Sequence, residues 1–171
     1  MSTGIIIKRL EASDVDAFRR IRLEALRAEP ANFASTYEDW AALSEDAWMQ
    51  RLDNPVFAAF LDREPVGLMG LFPESLAKMA HRASIMMVYV RKNLRGTGLA
   101  RELLAAVTDH ARNCGILQLE LVVSAENPAA MRFYQREGFV EYGRLPGGYI
   151  YDGKEIVDVL MMRRLTDQPV Q

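Results

Sequence analysis

Apolar and polar positions along this chain repeat with two periods, one of helices and one of strands. Ile5-Ile6-Ile7 is a short β-branched run and reads as a first strand. Ser13 and Asp16, three residues apart, form a capping-box pair at a helix start. Val15, Phe18, Ile21, Ala25 and Leu26 then recur at helical spacing on one face, with Pro30 beyond the end. Residues 31–43 read as irregular, although Phe33, Tyr37 and Trp40 lie four and three apart. Ser44 followed by Glu45 and Asp46 opens a second helix that ends near Leu52. Apolar runs from Pro55 to Leu61 and from Val66 to Phe72, joined by Asp62-Arg63-Glu64-Pro65, predict a hairpin.

Ser84 to Val90 is apolar almost throughout, as in a strand covered on both faces. A helix follows from about Thr97 to Asn113, with Leu99, Leu103, Val107 and Cys114 on one stripe and Gly115 as its stop. Ile116 to Val123 is a further strand. Pro128 at a first-turn position starts another helix, and Gly138 ends it. Phe139 to Arg144 and Ile156 to Arg163 are the last strands, with Asp152-Gly153-Lys154 as a turn between them. Hairpins mixed with two βαβ-like crossovers make the class α/β (or α+β) with a mixed sheet.

Composition narrows the function classes. The chain has 171 residues, 50% hydrophobic and 26% charged, which suits one soluble domain with its own core. We assign that domain to residues 1–165 and a flexible tail to residues 166–171. Against a net charge of −2, a generic nucleic-acid binder is not expected. The single cysteine, Cys114, and the two histidines, His81 and His110, leave no basis for a disulfide or a metal cluster. No apolar run reaches a membrane span and no secretory pattern opens the chain, so a cytoplasmic protein is expected.

Chemistry concentrates where the strand ending at Val90 meets the next helix. Gly96 and Gly98 allow unusual backbone angles and close approach of a ligand. Free N–H groups and the helix dipole make such a helix start an anion site, sized for a phosphate or pyrophosphate. Arg91, Lys92, Arg95 and Arg101 add four positive charges in eleven residues with no acid among them. A turn with a solvated basic patch would look the same. The segment is no P-loop, because no Gly-Lys-Ser/Thr follows, and Arg101 stands where Gly-x-Gly-x-x-Gly needs glycine. Downstream, Asn127 is a good N-cap, and Tyr134 lies seven residues on, sharing a helix face with Asn127 and Ala130. Tyr134 alone reads equally as a core aromatic.

Together these residues resemble the Gcn5-related N-acetyltransferase (GNAT) superfamily. Arg95-Gly96-Thr97-Gly98-Leu99-Ala100 looks like its acetyl-CoA pyrophosphate loop. Asn127, Ala130, Tyr134, Gly138 and Phe139 look like its downstream motif. The element order fits from Ile5 to Leu165. Arg22-Leu23-Glu24-Ala25-Leu26, Phe33-Ala34-Ser35, and Asp158 followed by Met161 resemble one bacterial branch. The resemblance implies a mostly antiparallel sheet of about seven strands flanked by about four helices. It also implies acetyl transfer from acetyl-CoA to a primary amine of a small molecule or peptide, by direct attack in a ternary complex, without a metal.

Carried over residue by residue, the strand around Met87, Val88 and Val90 would bind the pantetheine arm, and a backbone N–H near Val88 would polarise the thioester. Amides from Arg95 through Gly96, Thr97, Gly98, Leu99 and Ala100 to Arg101 would hold the pyrophosphate. Asn127 and Ala130 would line the cofactor arm, and Tyr134 would protonate or hydrogen-bond the departing thiolate. The strand position where some relatives carry a glutamate is occupied here by Ile85, Met86 and Met87. Glu120 is the nearest candidate base. The fold nominates Phe33, Tyr37, Met86 and Tyr149 for the acceptor pocket. The apolar edge strands allow a homodimer. A non-catalytic acyl-CoA-binding or sensor module remains the competing reading.

Overall fold

The computed structural model describes residues 4–166. Except for Thr166, the expected C-terminal tail lies outside the described residues. One seven-stranded sheet organises the chain: β1 (Ile5–Arg9), β2 (Val56–Leu61), β3 (Glu64–Pro73), β4 (Arg82–Val90), β5 (Gln118–Ser124), β6 (Val140–Tyr151) and β7 (Lys154–Arg164). Its order is β1-β2-β3-β4-β5-β7-β6. Every neighbouring pair is antiparallel except β4 with β5. This is the α/β mixed sheet expected from the sequence.

Five α-helices accompany it: α1 (Val15–Ala28), α2 (Tyr37–Ala41), α3 (Glu45–Arg51), α4 (Leu99–Asn113) and α5 (Pro128–Arg136). α1 and α3 cover one face, where Phe18 meets Trp48 edge-to-face at 5.2 Å beside Val56, Ala58 and Leu68. α4 covers the other face with Leu99, Leu103, Leu104 and Val107, joined by Tyr134 of α5. Each large side chain buried this way contributes about 1.5–3 kcal/mol relative to exposure. Gly67 of β3 permits the close approach of α4, since a Cβ there would stand 3.0 Å from Leu103 Cδ1.

Several local expectations are corrected. The cap of α1 lies two residues earlier than the Ser13–Asp16 pairing. The Glu11 N–H donates to Asp14 Oδ2 at 2.8 Å and opens a 3-10 turn, Ala12–Asp14, that runs into the helix. Leu10, 2% exposed, anchors the chain just before it and leaves no residues for a later start. The segment read as irregular contains α2, capped by Thr36, whose Oγ1 accepts from the Asp39 N–H. Five residues are too few to show a period. The Asp62-Arg63 turn is tighter than drawn from sequence, with both residues at positive φ, as a two-residue hairpin loop requires. β4 is not covered on both faces: Met86 is 49% exposed because that face borders an open chamber.

Candidate active site

A break in the sheet creates the site. β4 and β5 pair only through Arg82 with Gln118, Ala83 with Leu119 and Ser84 with Glu120. Beyond Ser84, β4 stays with β3 and β5 stays with β7, so a gap opens between them. A bulge in β4 sharpens the departure. Its register with β3 shifts between Leu68 and Gly70, and Met87 adopts φ 58°. Gly70 makes room for it, since a Cβ there would stand 2.8 Å from Met87 Cε. The Arg91 N–H donates to Val66 O on the β3 side. Strand alternation therefore turns the N–H groups of Val90 and Val88 toward the gap.

The turn after β4 supplies donors. Gly96 and Gly98 lie at φ 77° and 90°, and Gly98 is the N-cap of α4. Among the described residues, the backbone N–H groups from Gly96 to Arg101 have no backbone acceptor. Space above both glycines is open, with nothing within 4 Å of an added Cβ. Thr97 turns inward instead, its hydroxyl donating to Leu94 O at 2.5 Å. Three of the four cations of the basic segment are tied to acids. Arg91 forks onto Glu24 at 2.7–3.1 Å. Arg95 donates to Val90 O at 3.0 Å and to Glu29 at 2.7 Å. Arg101 lies 3.6 Å from Glu137. The anion site is thus built from amides first, and its arginines hold the loop in place.

α5 closes the cleft. Asn127 Oδ1 caps it by accepting from the Ala130 N–H at 3.2 Å, while its amide nitrogen has no partner among the described residues. Tyr134, 6% exposed, packs against Phe139 and Phe133 with ring centroids 5.6 and 5.2 Å away. Burial pushes its phenol well above the ordinary value. Val88, Val90, Arg95, Gly98, Asn127 and Tyr134 line one cleft of about 650 Å³, together with Gly96, Leu99, Ala100, Arg101 and Ala130. Met87 does not line it; its side chain is packed into the core under α1, so only its backbone shapes the gap. Tyr89, also in the cleft, has its phenol pushed up to about 12, chiefly by burial.

A second chamber of about 450 Å³ lies across the β4 bulge, lined by Phe33, Met86, Glu120 and Tyr149 among others. Asn32 and Phe33 border both cavities. The Tyr149 hydroxyl donates to Ala31 O at 2.5 Å and ties β6 to the segment before α2. Tyr37 is not brought into this chamber. The Thr36 cap turns it onto α1, where its hydroxyl accepts from Arg27 at 2.8 Å. Glu120 lines the chamber, but its oxygens accept from Arg82 at 2.5 and 2.6 Å and from Gln118 at 3.0 Å. The Arg82 hydrogen bonds hold its carboxyl below the ordinary range, which suits an anchor better than a base. The sequence reading missed Asn32, Arg22 and Asp158 in these walls. Arg22 and Asp158 stood in motifs of the resemblance without a role, and only the fold brings them together. Among the described residues, no group of three or more His, Cys, Asp or Glu gathers to hold a metal, and no helix is long and apolar enough to cross a membrane.

A strand bulge, a glycine turn rich in free amides and a capped helix bearing a buried tyrosine meet at this one cleft. Residues 17–139 match the acetyltransferase (GNAT) family, and the chain belongs to it. The solved GNAT acetyltransferase of Streptococcus pneumoniae is similar in fold, with a TM-score of 0.83 at 22% identity, covering 95% of this chain and 100% of that one. YncA of Salmonella typhimurium, solved with its cofactor acetyl-CoA, has a TM-score of 0.82 at 19% identity, covering 98% of each chain. A mycothiol acetyltransferase of Cellulomonas flavigena is 30% identical over 172 residues, 91% of this chain and 46% of the relative. The chain spans between 40% and 60% of the length of three other curated relatives that it matches.

Proposed function

We propose that this chain is an acetyl-CoA-dependent N-acetyltransferase that acetylates a primary amine of a small molecule or peptide by direct attack with both substrates bound. The observation that carries the reading is the pair of cavities meeting at Asn32 and Phe33, with Tyr134 lining the first. The residues fit the carrier: consecutive unpaired N–H groups lie under open space at Gly96 and Gly98, at the positive end of a 15-residue helix. Acetyl-CoA, when bound, supplies the acyl thioester.

The chain's own residues do the rest. Amides of residues 96–101 hold the pyrophosphate, and the free amide nitrogen of Asn127 is placed for the carrier arm. The gap-facing N–H groups of Val88 and Val90 pair with an extended arm as an added strand would, and the first is placed to polarise a carbonyl. Tyr134 Oη hydrogen-bonds or protonates the departing sulfur. An ordinary thiol has a pKa of ~8.5, below a phenol at ~10. Burial raises the phenol further, so Tyr134 stays protonated and can stabilise the departing thiolate through a donated hydrogen bond.

Calorimetry with acetyl-CoA, followed by turnover over a panel of amino acids, polyamines, aminoglycosides and peptide N-termini, tests this reading. Tyr134→Phe should lower turnover ~10²–10³-fold while acetyl-CoA affinity changes little. Unchanged turnover would leave Tyr134 as packing. Acetyl-CoA binding without turnover on any amine would favour the sensor module.

A further inference from the structure

The second chamber holds two ionic groups that the reaction above does not use. Arg22, on the inner face of α1, is 3% exposed, yet among the described residues its Nε and Nη1 have no hydrogen-bond partner and it makes no ion pair. Its guanidinium carbon lies 5.0 Å from the ring centre of Phe33 and 4.4 Å from that of Trp40. All three side chains line the chamber. Arg51 approaches Trp40 from elsewhere, at 4.9 Å, and also lines it. Burial pushes the Arg22 guanidinium down to about 10, so it remains a cation at neutral pH. A buried, unpaired arginine is costly, and proteins usually match one with an anion.

The opposite wall carries the complementary charge. Asp158 of β7 faces Ser124 of β5 and lines the same chamber. Gly148 of β6 presses so closely on it that a Cβ there would stand 2.2 Å from its Oδ2. No hydrogen bond reaches the carboxylate among the described residues, and burial pushes its pKa up. Glu120, the other acid in this wall, is already matched by Arg82. Among the described residues, the chamber therefore offers one buried cation with unpartnered donors, Arg22, one unmatched carboxylate, Asp158, and a second cation without an ion pair, Arg51, which donates to Ala47 O. Phe33, Trp40, Phe72 and Met86 leave an apolar space around them.

We infer that the acceptor is an amino acid or similar amino-carboxylate, whose carboxylate is held by Arg22 and whose ammonium faces Asp158. This rests on the acetyltransferase reading and names the acceptor class of that site. A polyamine or an aminoglycoside has nothing to offer Arg22, and a peptide N-terminus carries no carboxylate next to its amine. The apolar walls favour an acceptor with an aliphatic or aromatic side chain.

The test compares matched ligands on the intact protein loaded with CoA. L-phenylalanine, L-methionine and L-leucine are titrated by calorimetry beside their amides and their decarboxylated amines, and KM is measured wherever turnover occurs. The expected result is at least tenfold tighter binding of a carboxylate-bearing member. Arg22→Gln should abolish that preference and Arg22→Lys should keep part of it. Asp158→Asn should weaken all three forms of a ligand alike. Equal binding of acid, amide and amine, or no binding of any while CoA binds, would overturn the acceptor class and leave the carrier reading standing. Loss of CoA binding itself would overturn both. Should Arg22→Gln fail to fold, the pairwise difference on the wild-type protein still decides the matter.

Discussion

Glu120 shows how one neighbour decides the chemistry of a side chain. Its strand position makes it look like a base, yet the fork from Arg82 and the Gln118 amide fix it as an anion. A folded-state pKa below the unfolded value means stabilisation that is full at neutral pH and lost as pH falls through the folded value. Glu120→Gln should therefore destabilise the protein by about 1–3 kcal/mol at pH 7, and by much less at a pH below its lowered folded-state pKa. Denaturant titration at the two pH values reads this directly. A pH–rate profile that keeps its position in Glu120→Gln would make Glu120 an anchor, and one that shifts would make it the base. Arg82 stands 38 residues from Glu120, so no local spacing could show the pair. The same holds for Arg91 with Glu24 and Arg95 with Glu29, which tie two cations of the basic segment to distant acids.

At the scale of elements, the parts written in local chemistry were legible. Ser44 caps α3, Asn127 caps α5, and Gly98 stands at the start of α4, each at the place its residue type indicates. What stayed hidden was α2, too short for a period, and the bulge at Met87, a non-glycine residue at positive φ that no composition marks. The start of α4 yields a direct check. Gly98→Val puts a β-branched residue at φ 90° beneath the amides, a conformation costing about 1–3 kcal/mol. Acetyl-CoA affinity measured by calorimetry should fall more than tenfold, and unaltered affinity would remove the loop from the site. Asn127→Ala removes one cap and should lower stability by about 1 kcal/mol in thermal melts.

For the whole molecule, the strand order and four of the five described α-helices could be read from the sequence, but the chambers could not. The walls of the second chamber come from α1, the segment before α2, α2, α3, β3, β4, β5, β6 and β7, which only the folded sheet assembles. The place where the sheet parts also depends on pairings between distant strands. β1 to β4 form one antiparallel leaf and β5, β7 and β6 another, joined through three residue pairs. Every neighbouring strand pair within the two leaves has more residue pairs than this joint. A carrier arm lying along Val88 and Val90 would brace them. Saturating acetyl-CoA at 100 times its Kd should then add about 2.7 kcal/mol to stability. Hydrogen exchange should slow at the β4 amides bordering the breach while β1 and β2 change little. In the empty protein the cleft opens along the narrowest joint of the sheet, so a substitution that loosens the β4–β5 pairing should lower stability and carrier affinity together.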